Sequence, residues 1–183
     1  MTILLRFEGV ALRRGGRLLF EGLDLALGTG EAVQVTGPNG SGKSSLIRLA
    51  AGLLSAGRGR VERSPAALAD DHLALDRELP LRRALQFWSG AVDEVIDAMG
   101  LALLADVPVR LLSSGQLKRA TLARTAASTA RLWLLDEPLN ALDGDGAARF
   151  AKLVAGHLGS GGAVLAASHQ PMPGNWRMLE LKP

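Results

Sequence analysis

The stretch Gly37-Pro38-Asn39-Gly40-Ser41-Gly42-Lys43-Ser44 has the residue types and the spacing to cradle phosphate. It fits G-x-x-x-x-G-K-[ST], with the apolar run Ala32-Val33-Gln34-Val35 before it and the helix-like Ser45-Leu46-Ile47-Arg48-Leu49-Ala50 after it. Its glycines let successive backbone N–H groups turn inward into an anion-binding concavity, and the following helix adds its positive end. In that geometry Lys43 reaches the β- and γ-phosphates and the Ser44 hydroxyl ligates magnesium. A second candidate, Asp136-Glu137-Pro138, closes the apolar run Leu132-Trp133-Leu134-Leu135. Adjacent carboxylates on an extended chain point to opposite sides, so Asp136 can hold the metal while Glu137 faces a water, two roles that phosphoryl transfer to water needs. The plain alternative is a solvated acidic turn. His169 closes another apolar run, 163–167, level with Glu137.

These residues need a scaffold, and the pattern supplies one. Runs apolar on both faces at 132–135 and 163–167 predict buried parallel strands, which place their ligands at the carboxyl ends. Segments 3–10, 17–20 and 23–27 read as short strands joined by turns, hence an antiparallel sheet at the amino end. A helix is predicted over 44–54, strands at 60–62 and 66–69, and a polar turn at Asp70-Asp71-His72. Segments 80–88 and 92–99 read as short helices separated by Ser89-Gly90, with Leu81, Leu85 and Trp88 on one face of the first. Phe87 and Trp88 read as core or interface rather than cofactor contacts. Segment 64–109 looks like a small helical lobe inserted into the core. Ser113-Ser114-Gly115-Gln116 precedes a helical pattern, where Ser113 serves as an N-cap, and the same hydroxyls and N–H groups could meet an anion. Helix 145–158 and an edge strand at 176–181 complete the reading.

At 183 residues the chain suits one substantial core. It has no cysteine, which excludes disulfides and thiolate metal sites. No apolar run approaches the roughly 20 residues of a membrane span, and the amino terminus gains charge too early for a signal peptide, so a cytosolic protein is expected. The net charge of +3 is modest, and no nucleic-acid partner is expected.

In order, the phosphate loop, Leu112-Ser113-Ser114-Gly115-Gln116, Asp136-Glu137, Asn140-Ala141-Leu142-Asp143 and His169 resemble the ATP-binding cassette (ABC) transporter ATPases, from about Leu18 to His169. The resemblance implies an α/β P-loop NTPase with a RecA-like core, an N-terminal antiparallel β subdomain and a helical subdomain at approximately 64–125, all within a single domain, 1–183. It implies ATP and Mg2+ as ligands. It also implies a head-to-tail homodimer in which Ser113, Ser114, Gly115 and Gln116 of one copy cover the γ-phosphate on the loop of the other. Glu137 then polarises water, His169 contacts the γ-phosphate, and Asp143 communicates across the dimer. Asp106-Val107-Pro108-Val109, Arg119, Leu122-Ala123-Arg124 and Ser168-His169-Gln170-Pro171 resemble most the haem-exporter ATPases of bacterial cytochrome c maturation. That resemblance implies integral membrane permease subunits and haem-handling membrane proteins as partners, and a peripheral place on the cytoplasmic face of the inner membrane.

The sequence departs from the family at several positions. Ser114 stands where a second glycine is usual. No glutamine follows the strand at 66–69; His72 stands about there, as a candidate to bond metal-bound water or to ligate the metal, although magnesium prefers oxygen. Arg14 stands where the family stacks an aromatic on adenine, and a guanidinium plane can stack on a base too. The alternatives are an ATPase serving a different transporter, or a nucleotide-sensing module with weak hydrolysis.

Overall fold

The computed structural model describes residues 2–70, 72, 74–89 and 92–181. Met1, Asp71 and Gly90, which the sequence reading used, lie outside the described residues. Strands β1 (Ile3–Arg14), β2 (Arg17–Gly28) and β4 (Arg58–Arg63) form an antiparallel sheet in the order β2-β1-β4. The separate strands expected at 17–20 and 23–27 are one continuous strand. Its register against β1 shifts where Gly22 takes a φ of 63°, so a bulge rather than a break separates the two apolar stretches.

The second sheet is five-stranded, ordered β5-β6-β7-β3-β8, and every pairing in it is parallel. It holds β3 (Ala32–Thr36), β5 (Ala66–Ala69), β6 (Leu132–Asp136), β7 (Ala163–Ala167) and, at one edge, β8 (Arg177–Glu180). Alternate residues of β6 and β7 feed two cores on opposite faces. Trp133, Leu135, Val164 and Ala166 pack beneath α4 (Ser114–Ala127) and α5 (Gly144–Gly159). Leu132, Leu134, Ala163 and Leu165 pack with α1 (Lys43–Ala50) and the antiparallel sheet. Burial on both sides is why these strands read as unbroken apolar runs. The predicted lobe of 64–125 includes β5, which the structure places at the edge of the parallel sheet. The helices of the lobe are α2 (Leu81–Gln86), α3 (Asp93–Ala98) and α4.

Leu81 and Leu85 are fully buried on α2, whereas Phe87 is 83% exposed and Trp88 41% exposed, so neither belongs to the core. Arg124 of α4 ties the lobe to the sheet: its guanidinium lies 4.8 Å from the Trp88 ring centroid and donates to the Leu68 carbonyl of β5.

At the amino ends of β6 and β7 the His157 ring stacks on Trp133, centroids 3.8 Å apart, with Nε2 3.1 Å from the Arg131 carbonyl. Burial pushes the His157 pKa below its ordinary value; backbone hydrogen bonding at Arg131 and Ala163 opposes that and the Arg131 charge adds to it. The unfolded chain, with an imidazole pKa of about 6.5, therefore takes up the proton first. This contribution to stability is present above about pH 6.5 and is lost as pH falls toward the folded value. His157→Phe, which keeps the stack, flattens the fall in urea midpoint between about pH 7.5 and 5.5; an unchanged slope would refute the assignment.

Candidate active site

The carboxyl ends of β3, β6 and β7 emerge side by side, and each delivers one part of the site. β3 runs into the phosphate loop, where Pro38, Asn39 and Gly40 form an exposed crest and Ser41 is buried against Gly37, its N–H donating to the Pro38 carbonyl at 3.2 Å. Gly42 enters α1 in the left-handed conformation, and no acidic side chain or side-chain cap occupies the helix start. The first-turn N–H groups and the positive dipole end are thereby left to an anion. Lys43 is only 8% exposed and its Nζ donates to the carbonyls of Gly37 (2.9 Å) and Pro38 (3.1 Å), which arches the ammonium back over the loop.

β6 delivers the carboxylates. Asp136, 6% exposed, accepts from the Ser44 hydroxyl through Oδ1 at 3.0 Å. This pair of hard oxygens fits magnesium, an ion that uses one or two protein ligands and fills its shell with water and phosphate. Beyond Asp136 the chain turns sharply: Glu137 has a φ of 47°, unusual for a residue with a side chain, and its N–H donates to the Ala167 carbonyl at 2.8 Å. That turn sends the Glu137 carboxylate away from Asp136, toward β7. There Oε2 lies 2.9 Å from His169 Nδ1 and 3.4 Å from the His169 backbone nitrogen. Gln34 of β3 fixes the segment that carries His169, donating to Gln170 O at 2.8 Å and accepting from the Met172 N–H at 3.2 Å. A cavity of about 480 Å³ lies over the loop, lined by Arg14, Lys43, Ser44, Ser45 and Glu137 among others.

Other sequence-predicted residues fall elsewhere. Ser113 caps α4 reciprocally, its hydroxyl accepting from the Gln116 N–H (3.3 Å) while its own N–H donates to Gln116 Oε1 (2.9 Å). Ser113 and Ser114 are exposed, and no residue of 113–116 lines the phosphate-loop cavity of the same chain. Gly115 abuts the 140–143 turn so closely that a Cβ there would come within 2.9 Å of the Ala141 carbonyl oxygen. Asp143 caps α5, accepting from the Gly146 N–H at 2.7 Å. His72 is not brought to Ser44 and Asp136. Asp70 holds it instead, through its backbone N–H (3.0 Å) and Nδ1 (3.1 Å), and it lines a different cavity with Trp88 and Arg124. Arg14 is near the loop as expected, but its guanidinium donates to the Ser45 hydroxyl at 3.4 Å. Sequence reasoning missed Lys118, whose Nζ reaches the Asp136 carbonyl at 3.5 Å, and Leu19 in the cavity wall.

With this geometry in hand, the comparison with known proteins is direct. A sequence profile described as ABC transporter matches residues 20–140, from β2 through the Asp136-Glu137 turn. The chain belongs to the ABC transporter family. A relative from Sphingopyxis alaskensis named cytochrome c biogenesis ATP-binding export protein CcmA is 56% identical over 177 residues, which cover 92% of this chain and 91% of that one. A protein of the same name from Novosphingobium aromaticivorans is 54% identical, covering 89% and 87% of the two chains. Within the ABC family the chain is therefore a CcmA-type ATP-binding subunit. Among solved structures, the ATP-binding subunit of an ABC transporter superposes with a TM-score of 0.81 at 20% identity, over 91% of this chain and 79% of that one. An ATP-binding cassette in its ADP conformation gives 0.75 at 21% identity, over 93% and 83%. At such low identity these two establish the fold alone.

Proposed function

We propose that this CcmA-type subunit hydrolyses ATP on the cytoplasmic face of the bacterial inner membrane, powering haem export or release for cytochrome c biogenesis. The observation that carries the chemistry is the convergence of Lys43, Ser44, Asp136, Glu137 and His169 at adjoining strand ends. The names of the relatives support the haem role.

In this reading the loop N–H groups and Lys43 hold the β- and γ-phosphates. Ser44 and Asp136 hold Mg2+, which neutralises phosphate charge. Glu137 accepts a hydrogen bond from the water whose oxygen attacks the γ-phosphorus in line, while the bond to the β-phosphate oxygen breaks and leaves ADP. His169, braced by Glu137, contacts the γ-phosphate. The exposed Ser113 and Ser114, with the half-buried Gly115 and Gln116, close over the γ-phosphate of a second copy in a head-to-tail homodimer, with Asp143 beside that seam. The absence of 113–116 from the cavity of their own chain supports this composite site.

Among the described residues no helix is long and apolar enough to cross a membrane; in this reading attachment runs through integral membrane partners. Phe87 and Trp88, packed edge to face at 5.3 Å, and the 62% exposed Leu53 supply the apolar surface for it. Affinity capture with the tagged chain recovers a permease and a haem-handling membrane protein, and the reconstituted complex releases haem only with Mg-ATP. Recovery of an unrelated permease would overturn the haem role. The double variant Phe87→Ser/Trp88→Ser loses the membrane partners at least about 10-fold, since buried aromatics dominate interfaces, with ATP affinity within about twofold of wild type.

One observation favours a nucleotide sensor with weak hydrolysis: His72, in the turn after β5, is not brought to Ser44 and Asp136. Phosphate release by the reconstituted complex separates the two readings.

A further inference from the structure

The tip of the β1–β2 hairpin reaches over the phosphate loop. Arg14 and Arg17 pair across the Gly15-Gly16 turn, and of the two only Arg14 enters the wall of the nucleotide cavity. Its Nη1 donates at 3.4 Å to the hydroxyl of Ser45, a buried residue in the first turn of α1, the helix end that faces the phosphates. A guanidinium held there matches phosphate oxygens in shape and charge. Of the described residues lining the cavity, Leu19 alone presents an apolar side chain and none presents an aromatic ring. The neighbouring Phe20 is 8% exposed and packs beneath Gly42, within the core. Stacking on a ring strengthens the binding of a base by about 5- to 150-fold, and nothing lining this cavity supplies it.

We infer that Arg14 grips the triphosphate rather than the base, so that the subunit binds and hydrolyses purine and pyrimidine nucleoside triphosphates with little discrimination. The inference rests on the nucleotide-site reading above and extends it to GTP, CTP and UTP. Each is cleaved as ATP is, by water at the γ-phosphorus, giving the nucleoside diphosphate and phosphate. Base selection falls to Leu19, whose methyl groups contact any ring alike.

The test is competition of Mg2+ complexes of ATP, GTP, CTP, UTP and inorganic tripolyphosphate against a fluorescent ATP on the full chain, with phosphate release followed in parallel. The four nucleotides bind within about fivefold of one another and tripolyphosphate within about 10-fold of ATP. Arg14→Ala weakens all five by a common factor of about 10, smaller at high salt, and Arg14→Lys restores part of it. Arg14→Tyr provides a ring and opens a purine preference of at least about fivefold. A wild-type preference for ATP over CTP above about 30-fold, or an Arg14→Ala loss confined to nucleotides and sparing tripolyphosphate, would overturn the inference. Failure of wild type to bind any of the five would overturn the nucleotide-site reading together with it.

Discussion

Glu137→Gln lowers ATP turnover by about 10²- to 10⁴-fold, the usual worth of a positioned general base, while ATP affinity stays within about threefold of wild type. Glutamine has the shape of glutamate and keeps a carbonyl oxygen for the backbone N–H of His169, which bonds Glu137 Oε2 at 3.4 Å. Its amide cannot take a proton from water, so the ground state survives and the transition state does not. Glu137 holds its carboxylate toward β7 at a cost. Its φ of 47° is sustained by the Ala167 carbonyl and by the His169 contact. Single-turnover phosphate release beside equilibrium ATP binding checks the prediction, and the stalled ATP state accumulates as dimer by size exclusion. Near wild-type turnover would remove Glu137 from the role of base.

Strands β6 and β7 were legible because burial on both faces leaves nothing polar before their ends, and strand ends at Asp136 and near His169 follow from that alone. Ser113 was legible as a cap because capping is local, set within four residues. What escaped is tertiary. The turn after β5 gives no periodic signal, and Asp70, two residues away, decides where His72 points. Phe87 and Trp88 follow just beyond the end of α2, and their apolarity left core and interface both open; only the fold shows them exposed. The reach of Lys118 to Asp136 depends on how α4 lies against β6, a relation that no helical spacing encodes. Arg14 shows both sides. Its place before Phe20 marked it as a candidate contact near the phosphate loop, but only the fold shows its bond to Ser45.

Gly37→Ala disables the loop from behind. Gly37 has a φ of 140°, and a Cβ there would lie 2.5 Å from the Leu181 carbonyl oxygen and 2.8 Å from Ser41 Oγ. Neither neighbour can yield cheaply, because the Leu181 N–H is tied to Thr36 O at 2.8 Å and Ser41 is buried within the loop. Backbone strain of about 1–3 kcal/mol adds to overpacking of similar size, which for a chain of this length lowers Tm by roughly 5–20 °C. The displaced Gly37 carbonyl also releases Lys43 Nζ from its 2.9 Å anchor, so ATP affinity falls at least about 100-fold. Gly40→Ala is the control. At a φ of 81° with nothing within 4 Å of its Cβ, it bears the backbone strain without the clash and is expected to lose about half as much stability. Thermal unfolding and ATP titration of both variants decide the matter, and equal losses would show that the packing of the carboxyl-terminal segment against the loop does not set the loop's shape.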